Sequence, residues 1–154
     1  MKIEEEVGSL LSDLKLTISI AESCTGGGIC SRISRVPGSS NYFLGGIVSY
    51  SHYSKIKHLG ISSEMISRYG DVSEQVALAM VDSVRNKFQS DISLSITGFS
   101  GPSGDRIGQV FISILSPKNR SCYSFQFEGC RETITNQSIE KSLSLILSEI
   151  KLIK

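Results

Sequence analysis

No stretch of this chain approaches the roughly 20 apolar residues that a membrane-spanning helix needs. No sign of charge dominates either: 16 basic residues stand against 15 acidic ones, a formal net charge of +1. The first absence predicts no membrane association. The second argues against a nucleic-acid protein, whose domain is usually clearly basic. A balanced total still leaves room for a local basic pocket and a phosphate-bearing small molecule. The N-terminus carries three consecutive acids, Glu4-Glu5-Glu6, where a secretory signal has positive charge and then an apolar run. The expected location is therefore the cytoplasm, and the sequon Asn136-Gln137-Ser138 carries no weight there. Cys24, Cys30, Cys122 and Cys130 form no C-x-x-C pair, and His52 and His58 lie far from them in sequence. This argues against a zinc site and for reduced thiols. No G-x-G-x-x-G follows the first expected strand, which removes dinucleotide oxidoreductases, and no G-x-x-x-x-G-K-S/T occurs, which removes the P-loop class.

There is also no internal repeat, low-complexity tract or linker. The 154 residues, 40% hydrophobic and 20% charged, suit one globular domain over 1–154. Ile3, Val7, Leu10, Leu11 and Leu14 keep helical spacing and predict a helix over 2–14. Leu16–Ala21 reads as a strand, with Ile18 and Ile20 alternating against Thr17 and Ser19. Gly26-Gly27-Gly28 follows at once, and then a helix carrying Ile29, Ile33 and Val36 that Pro37-Gly38 ends. Phe43–Tyr50 reads as a second strand, whose Gly45-Gly46 marks a bulge or a close approach. Short helices are expected near 53–58 and 62–69, and then a helix capped by Ser73 that bears Val76, Met80, Val84 and Phe88 on one stripe. Ile92, Leu94 and Ile96 predict a third strand. Gln109–Leu115 and Cys122–Phe127 predict a hairpin about the turn Ser116–Asn119, and Ile139 to Ile153 a long final helix. The fold class is α/β: a three-layer α/β/α sandwich with a mixed sheet covered by helices on both faces.

Three clusters carry chemistry. Ala21-Glu22-Ser23-Cys24-Thr25-Gly26-Gly27-Gly28 sits where a strand hands over to a helix, and unpaired N–H groups at a helix start attract anions. A hydroxyl there can attack a carbonyl whose oxyanion those N–H groups hold. The bland alternative is a tight turn with Ser23 or Thr25 as helix cap. A serine nucleophile needs a base, and Tyr50-Ser51-His52-Tyr53-Ser54-Lys55 offers His52 and Lys55. The alternative is a solvated loop with a surface lysine. Tyr50 and Lys55 are five apart, not the four of the short-chain dehydrogenase pair. The third cluster, Thr97-Gly98-Phe99-Ser100-Gly101-Pro102-Ser103-Gly104, suits a backbone that wraps a ligand or a plain connection. One site results if the two glycine loops face each other across the same sheet edge.

The runs AESCTGGG, VPGSSNYFLGGIVSYSHYSK, LGI, GDVSEQVALAM, SITGFSGPSG and GQVFISI together resemble the CinA C-terminal domain family of competence/damage-inducible bacterial proteins. That family includes stand-alone nicotinamide mononucleotide deamidases of the pyridine nucleotide cycle. The likeness covers nearly the whole chain in register. It implies hydrolysis of the nicotinamide carboxamide to a carboxylate with release of ammonia. It places the family's serine on Ser23, its tyrosine on Tyr50, its lysine on Lys55 and its arginine on Arg131. In this family the domain is often joined to a larger N-terminal domain. The chain departs from the family's common pattern in three places. His52 follows Tyr50-Ser51 where asparagine is common. Only Asp105-Arg106-Ile107 separates Gly104 from Gly108, a short loop lacking the usual lysine and proline, so that Arg106 is the expected substitute charge. Cys130 precedes the arginine where aspartate is common.

The resulting expectation is a nicotinamide-nucleotide amidase with Ser23 as nucleophile, Lys55 as base and Tyr50 as a proton relay or a support for the amine. Backbone N–H groups around Thr25, Gly26 and Gly27 would hold the oxyanion. Thr97, Gly98, Gly101 and Arg131 would cradle the substrate's phosphate. No metal or organic cofactor is called for. The expected partner is a small-molecule nucleotide, with neither nucleic acid nor membrane, and a homo-oligomer stays open. Two alternatives are a non-catalytic nucleotide-binding module derived from the family and an amidase for a related amide.

Overall fold

Ile3–Leu14 folds as helix α1 because Val7 and Leu11 fall on one buried face, while Glu4, Glu5 and Glu6 place negative charge in its first turn, where the helix dipole favours it. The computed structural model describes residues 1–154. Strand β1 (Ile18–Glu22) leads to α2 (Gly28–Ser34), a 3-10 turn (Ser39–Asn41) and β2 (Phe43–Val48). Helices α3 (His52–Leu59), α4 (Ser63–Tyr69) and α5 (Glu74–Phe88) follow, then β3 (Ile92–Gly98), β4 (Gln109–Leu115), β5 (Arg120–Gln126) and α6 (Arg131–Ile153). Three of these helices start on a serine cap: Ser51, Ser62 and Ser73 accept from the N–H of Ser54, Met65 and Val76. No helix is long and apolar enough to cross a membrane.

The five strands form one mixed sheet in the order β2-β1-β3-β4-β5. Strand β1 is parallel to β2 and β3, and β4 and β5 are antiparallel additions. Because α/β crossovers are right-handed, the β1-to-β2 and β2-to-β3 connections, which run in opposite directions across the sheet, must lie on opposite faces. Accordingly Val7, Leu11, Ile29, Ile33, Leu143, Ile146 and Ile150 of α1, α2 and α6 pack with Ile18, Ile20, Leu94 and Ile112 in one core. A smaller core joins Ala21 to Leu59, Ile66, Val76, Met80 and Val84 on the α3–α5 side. The fold is the single α/β domain with helices on both sides of a mixed sheet.

The Ile–Ser alternation of β1 has a cause beyond a wet face, since every residue of β1 is buried. Its one serine, Ser19, and the serines of the neighbouring β3 face α5. Ser19 Oγ lies 2.7 Å from Ser90 Oγ and 2.8 Å from Ser93 Oγ, and Ser95 Oγ donates to the Ala77 carbonyl at 2.6 Å. These small hydroxyls find partners inside the protein, as buried polar groups must. Gly46 of β2 also answers to packing: a Cβ there would lie 2.8 Å from the Ile20 carbonyl oxygen, and against Cys30 of α2.

Several boundaries differ from the sequence reading. Strand β1 covers 18–22 rather than 16–21. Strand β2 stops at Val48, because the chain beyond turns the Tyr50 carbonyl toward Lys55. Strand β5 starts at Arg120 rather than Cys122, because Ser116 N–H donates to the Asn119 carbonyl at 2.8 Å and closes the turn tightly enough to pair Leu115 with Arg120.

Candidate active site

In the order β2-β1-β3, the C-terminal ends of β1 and β3 form the switch point at which open α/β sheets take their ligands. Both glycine loops leave the sheet there. A cleft of about 160 Å³ between them is lined by Ser23, Cys24, Tyr50, Asp71, Val72, Thr97, Gly98, Phe99, Ser100 and Arg131. A larger groove of about 590 Å³ beside Met65 and Ala79 holds no nucleophile–base pair, so chemistry rather than size marks the site.

Ser23 is the first residue past β1, pinned by its N–H to the Ile96 carbonyl of β3 at 3.1 Å. The chain then turns sharply, with Gly26 N–H donating back to the Ser23 carbonyl and with Gly26 and Gly27 at φ +59° and +100°, values that glycine adopts freely. The turn ends in α2, whose first amides are taken by a buried side chain the sequence reading had given no role. Glu22 Oε1 accepts from Ile29 N–H at 3.0 Å and from Thr25 Oγ1 at 2.6 Å, and Oε2 accepts from Cys30 N–H at 2.9 Å. A carboxylate at the end of β1, six residues ahead of the first residue of α2, was the available signal, since helix N-termini favour negative charge. With Glu22 on those amides and Gly26 N–H spent on the turn, the N–H groups of Cys24, Thr25 and Gly27 make no hydrogen bond within the chain. Of the amides expected over 25–27, that of Gly26 is engaged in the turn, while those of Thr25 and Gly27, like that of Cys24, are free.

Lys55 approaches from the opposite side. Ser51 caps α3, and one turn later Lys55 points back to the end of β1. It is fully buried. Its Nζ lies 2.7 Å from Ser23 Oγ, 3.1 Å from the Ser49 carbonyl and 3.3 Å from the Tyr50 carbonyl, and no carboxylate is among its partners. Burial pulls its pKa below the ordinary lysine value, with the charges of Asp71 and Cys24 opposing the shift. A neutral amine has two N–H donors and one lone pair. Two carbonyls can take the donors, which leaves the lone pair for the serine hydroxyl.

His52 is not brought to Ser23. Its imidazole is 63% exposed and its Nε2 lies 3.0 Å from Asp71 Oδ2. Burial pushes the Cys24 thiol up to about 12, which disfavours a thiolate beside Ser23. Of the two roles expected for Tyr50, support of the amine is met by its main chain and not by its side chain. Its main-chain carbonyl meets the lysine, whereas its phenolic oxygen accepts from Arg131 Nη2 at 2.6 Å.

Arg131 opens α6, where a cation opposes the helix dipole. It donates to the Gly101 carbonyl as well as to Tyr50, so it ties the segment between β2 and α3 to the glycine loop after β3 at the cleft. Thr97 and Gly98 line the cleft, although Thr97 Oγ1 donates to the Asp71 carbonyl. Thr25, Gly26, Gly27 and Gly101 lie outside the lining. The Thr25 side chain belongs to Glu22, and the Gly101 carbonyl belongs to Arg131. Arg106 stacks its guanidinium 4.9 Å from the centroid of Phe99, a lining residue. The sequence reading also gave no role to Asp71 or to Ser100, whose hydroxyl is buried without a partner.

The model of the CinA C-terminal domain matches residues 1–150. A CinA-like protein of Flavobacterium psychrophilum is 45% identical over 96% of this chain and 36% of its own length. A CinA-like protein of a Sulfurihydrogenibium species is 42% identical over 95% of this chain and 38% of its own length. The chain thus spans a little over a third of these curated relatives. Among solved structures, a competence or damage-inducible protein from Enterobacter asburiae superposes with a TM-score of 0.92 at 28% identity, covering 96% of each chain.

Proposed function

This chain belongs to the CinA C-terminal domain family, and on that premise we propose that it is an amidohydrolase converting nicotinamide mononucleotide to nicotinate mononucleotide and ammonia. The observation that carries the proposal is the contact of a fully buried lysine, free of any carboxylate, with a serine hydroxyl at 2.7 Å. Burying an amine without a counter-ion costs stability. A module that merely bound nucleotide would gain nothing from it, whereas a serine hydrolase gains a base.

Ser23 Oγ attacks the carboxamide carbon as neutral Lys55 takes the hydroxyl proton. The C=O bond opens to an oxyanion, stabilised by the free N–H groups of Cys24, Thr25 and Gly27 in the turn between β1 and α2. Lys55, now an ammonium, gives its proton to the departing nitrogen. Ammonia leaves and Ser23 carries an acyl ester. Water then adds to the ester, with Lys55 as base again, and the carboxylic acid departs as the serine regains its proton. A cleft of 160 Å³ is smaller than the roughly 300–1,000 Å³ that enclose a whole drug-sized ligand. It suits one ring with its amide, leaving ribose and phosphate along the opening, where Arg131 has N–H groups to offer an anion.

The test is ammonia release from nicotinamide mononucleotide by the purified protein, with Ser23→Ala alongside. Stoichiometric formation of nicotinate mononucleotide, lost in the variant, supports the proposal. Nucleotide binding without any ammonia defeats it. A panel of other pyridine nucleotides and simple amides identifies the substrate if ammonia comes only from one of those.

A further inference from the structure

Resting on that deamidase reading, we infer that Asp71 selects a substrate whose amide-bearing ring is a cationic pyridinium over one whose ring is neutral. Asp71 is the one carboxylate lining the cleft that holds Ser23. Its main chain is tied to the end of β3 by Thr97 Oγ1 at 2.8 Å, and its carboxylate is held by His52 Nε2 at 3.0 Å with the side chain 29% exposed. The group is therefore placed and partly shielded from water, where a charge acts more strongly than at an open surface.

That placement works against the chemistry of the dyad. A negative charge beside Lys55 favours the ammonium over the amine that must accept the serine proton, and it opposes the oxyanion that forms on attack. His52 is its sole ion-pair partner and is mostly exposed, so the protein supplies little to cancel the charge. A ligand that brings a positive charge would cancel it. In nicotinamide mononucleotide the ring nitrogen is quaternary and sits one atom from the ring carbon that bears the amide, so the charge enters the cleft with the scissile group. Arg131 gives the same cleft a cationic element, which matches the phosphate. A zwitterionic nucleotide satisfies both signs, whereas a neutral ring satisfies the arginine alone.

The experiment compares two ligands of nearly the same shape, nicotinamide mononucleotide and its reduced dihydro form, whose ring is neutral. Both are titrated calorimetrically into Ser23→Ala protein, which binds without turnover, and into the same protein carrying Asp71→Asn or Asp71→Glu. The oxidised form should bind on the order of tenfold tighter than the reduced form. Asp71→Asn should bring that ratio close to one, and Asp71→Glu should retain most of it. If the wild type releases ammonia and the ratio is unchanged in Asp71→Asn, this inference is overturned and the deamidase reading stands. If neither ligand binds and the wild type releases no ammonia, the deamidase reading falls and the inference falls with it.

Discussion

Two fully buried charged side chains flank the nucleophile, and their surroundings are opposite in kind. Glu22 is met by two backbone N–H groups and a hydroxyl at the start of α2. Every contact offers a proton, and the helix start adds its own positive end, so the site suits a carboxylate and nothing else. Lys55 is met by two carbonyls and a serine hydroxyl with no formal charge among them. Its site is apolar enough to press the amine toward neutrality while keeping its lone pair on Ser23. One buried charge is held in place so that the loop keeps its shape. The other is held so that it can give its charge up. Burial alone therefore does not tell a structural charge from a reactive one, whereas the partners do.

The comparison is broken most severely at the dyad. Ser23→Ala should lower ammonia release by roughly 10³-fold or more. Lys55→Arg should fold, as judged by circular dichroism, and lose turnover about as badly, because arginine keeps its charge. Near-normal turnover by Lys55→Arg would remove the lysine from the mechanism. On the other side of the comparison, Glu22→Gln sets an amide N–H₂ against donors that need an acceptor. It should cost about 1–3 kcal/mol in urea unfolding and lower turnover by up to about 100-fold through a displaced loop. Equal stability and activity in Glu22→Gln would mean that the carboxylate does not hold the turn.

The pH dependence of stability sharpens the same contrast. With its folded pKa below its unfolded value, Lys55 binds fewer protons in the native state than in the unfolded chain over the interval between the two. Its contribution is thus favourable above the unfolded value of about 10.4, and it is lost as pH falls through the folded one. Lys55→Met removes that component. The mutant should gain on the wild type as pH falls across the interval, and parallel stability curves would mean that the pKa is not lowered. The smallest effects are expected outside the pair. Cys24→Ala should keep most of the turnover, since the thiol is held near 12, and so should His52→Asn, since His52 faces Asp71 rather than Ser23. Chelator treatment should leave the rate unchanged, and loss of activity that zinc restores would contradict a serine mechanism that uses no metal.

The fold was legible wherever one periodicity served one packing face. The stripe Val76, Met80, Val84 with its Ser73 cap is α5 as read, and the strands before and after it run within two residues of their expected ends. What periodicity could not tell was why Ser19 sits in the fully buried strand β1. That depends on Ser90 and Ser93, some 70 residues away, and on the close approach of α5. At the site, the family resemblance singled out Ser23 and Lys55, which the structure places in contact, and Arg131, which it places at the cleft. The resemblance named residues but not atoms, so it could not tell that Tyr50 turns its carbonyl to the lysine and its phenol to the arginine. Glu22 and Asp71 lay inside the quoted runs without a role, because what each does is set by a partner on another element.

The central claim is that Lys55 is poised as a neutral base for Ser23, and titration of its side chain by nuclear magnetic resonance, with lysine labelled at the ε carbon and assigned through Lys55→Arg, tests it most directly. The account predicts a midpoint clearly below the 10.4 or so of a free lysine, absent from the other lysine signals of the folded protein. A Lys55 signal that titrates with the surface lysines, or above them, would contradict it.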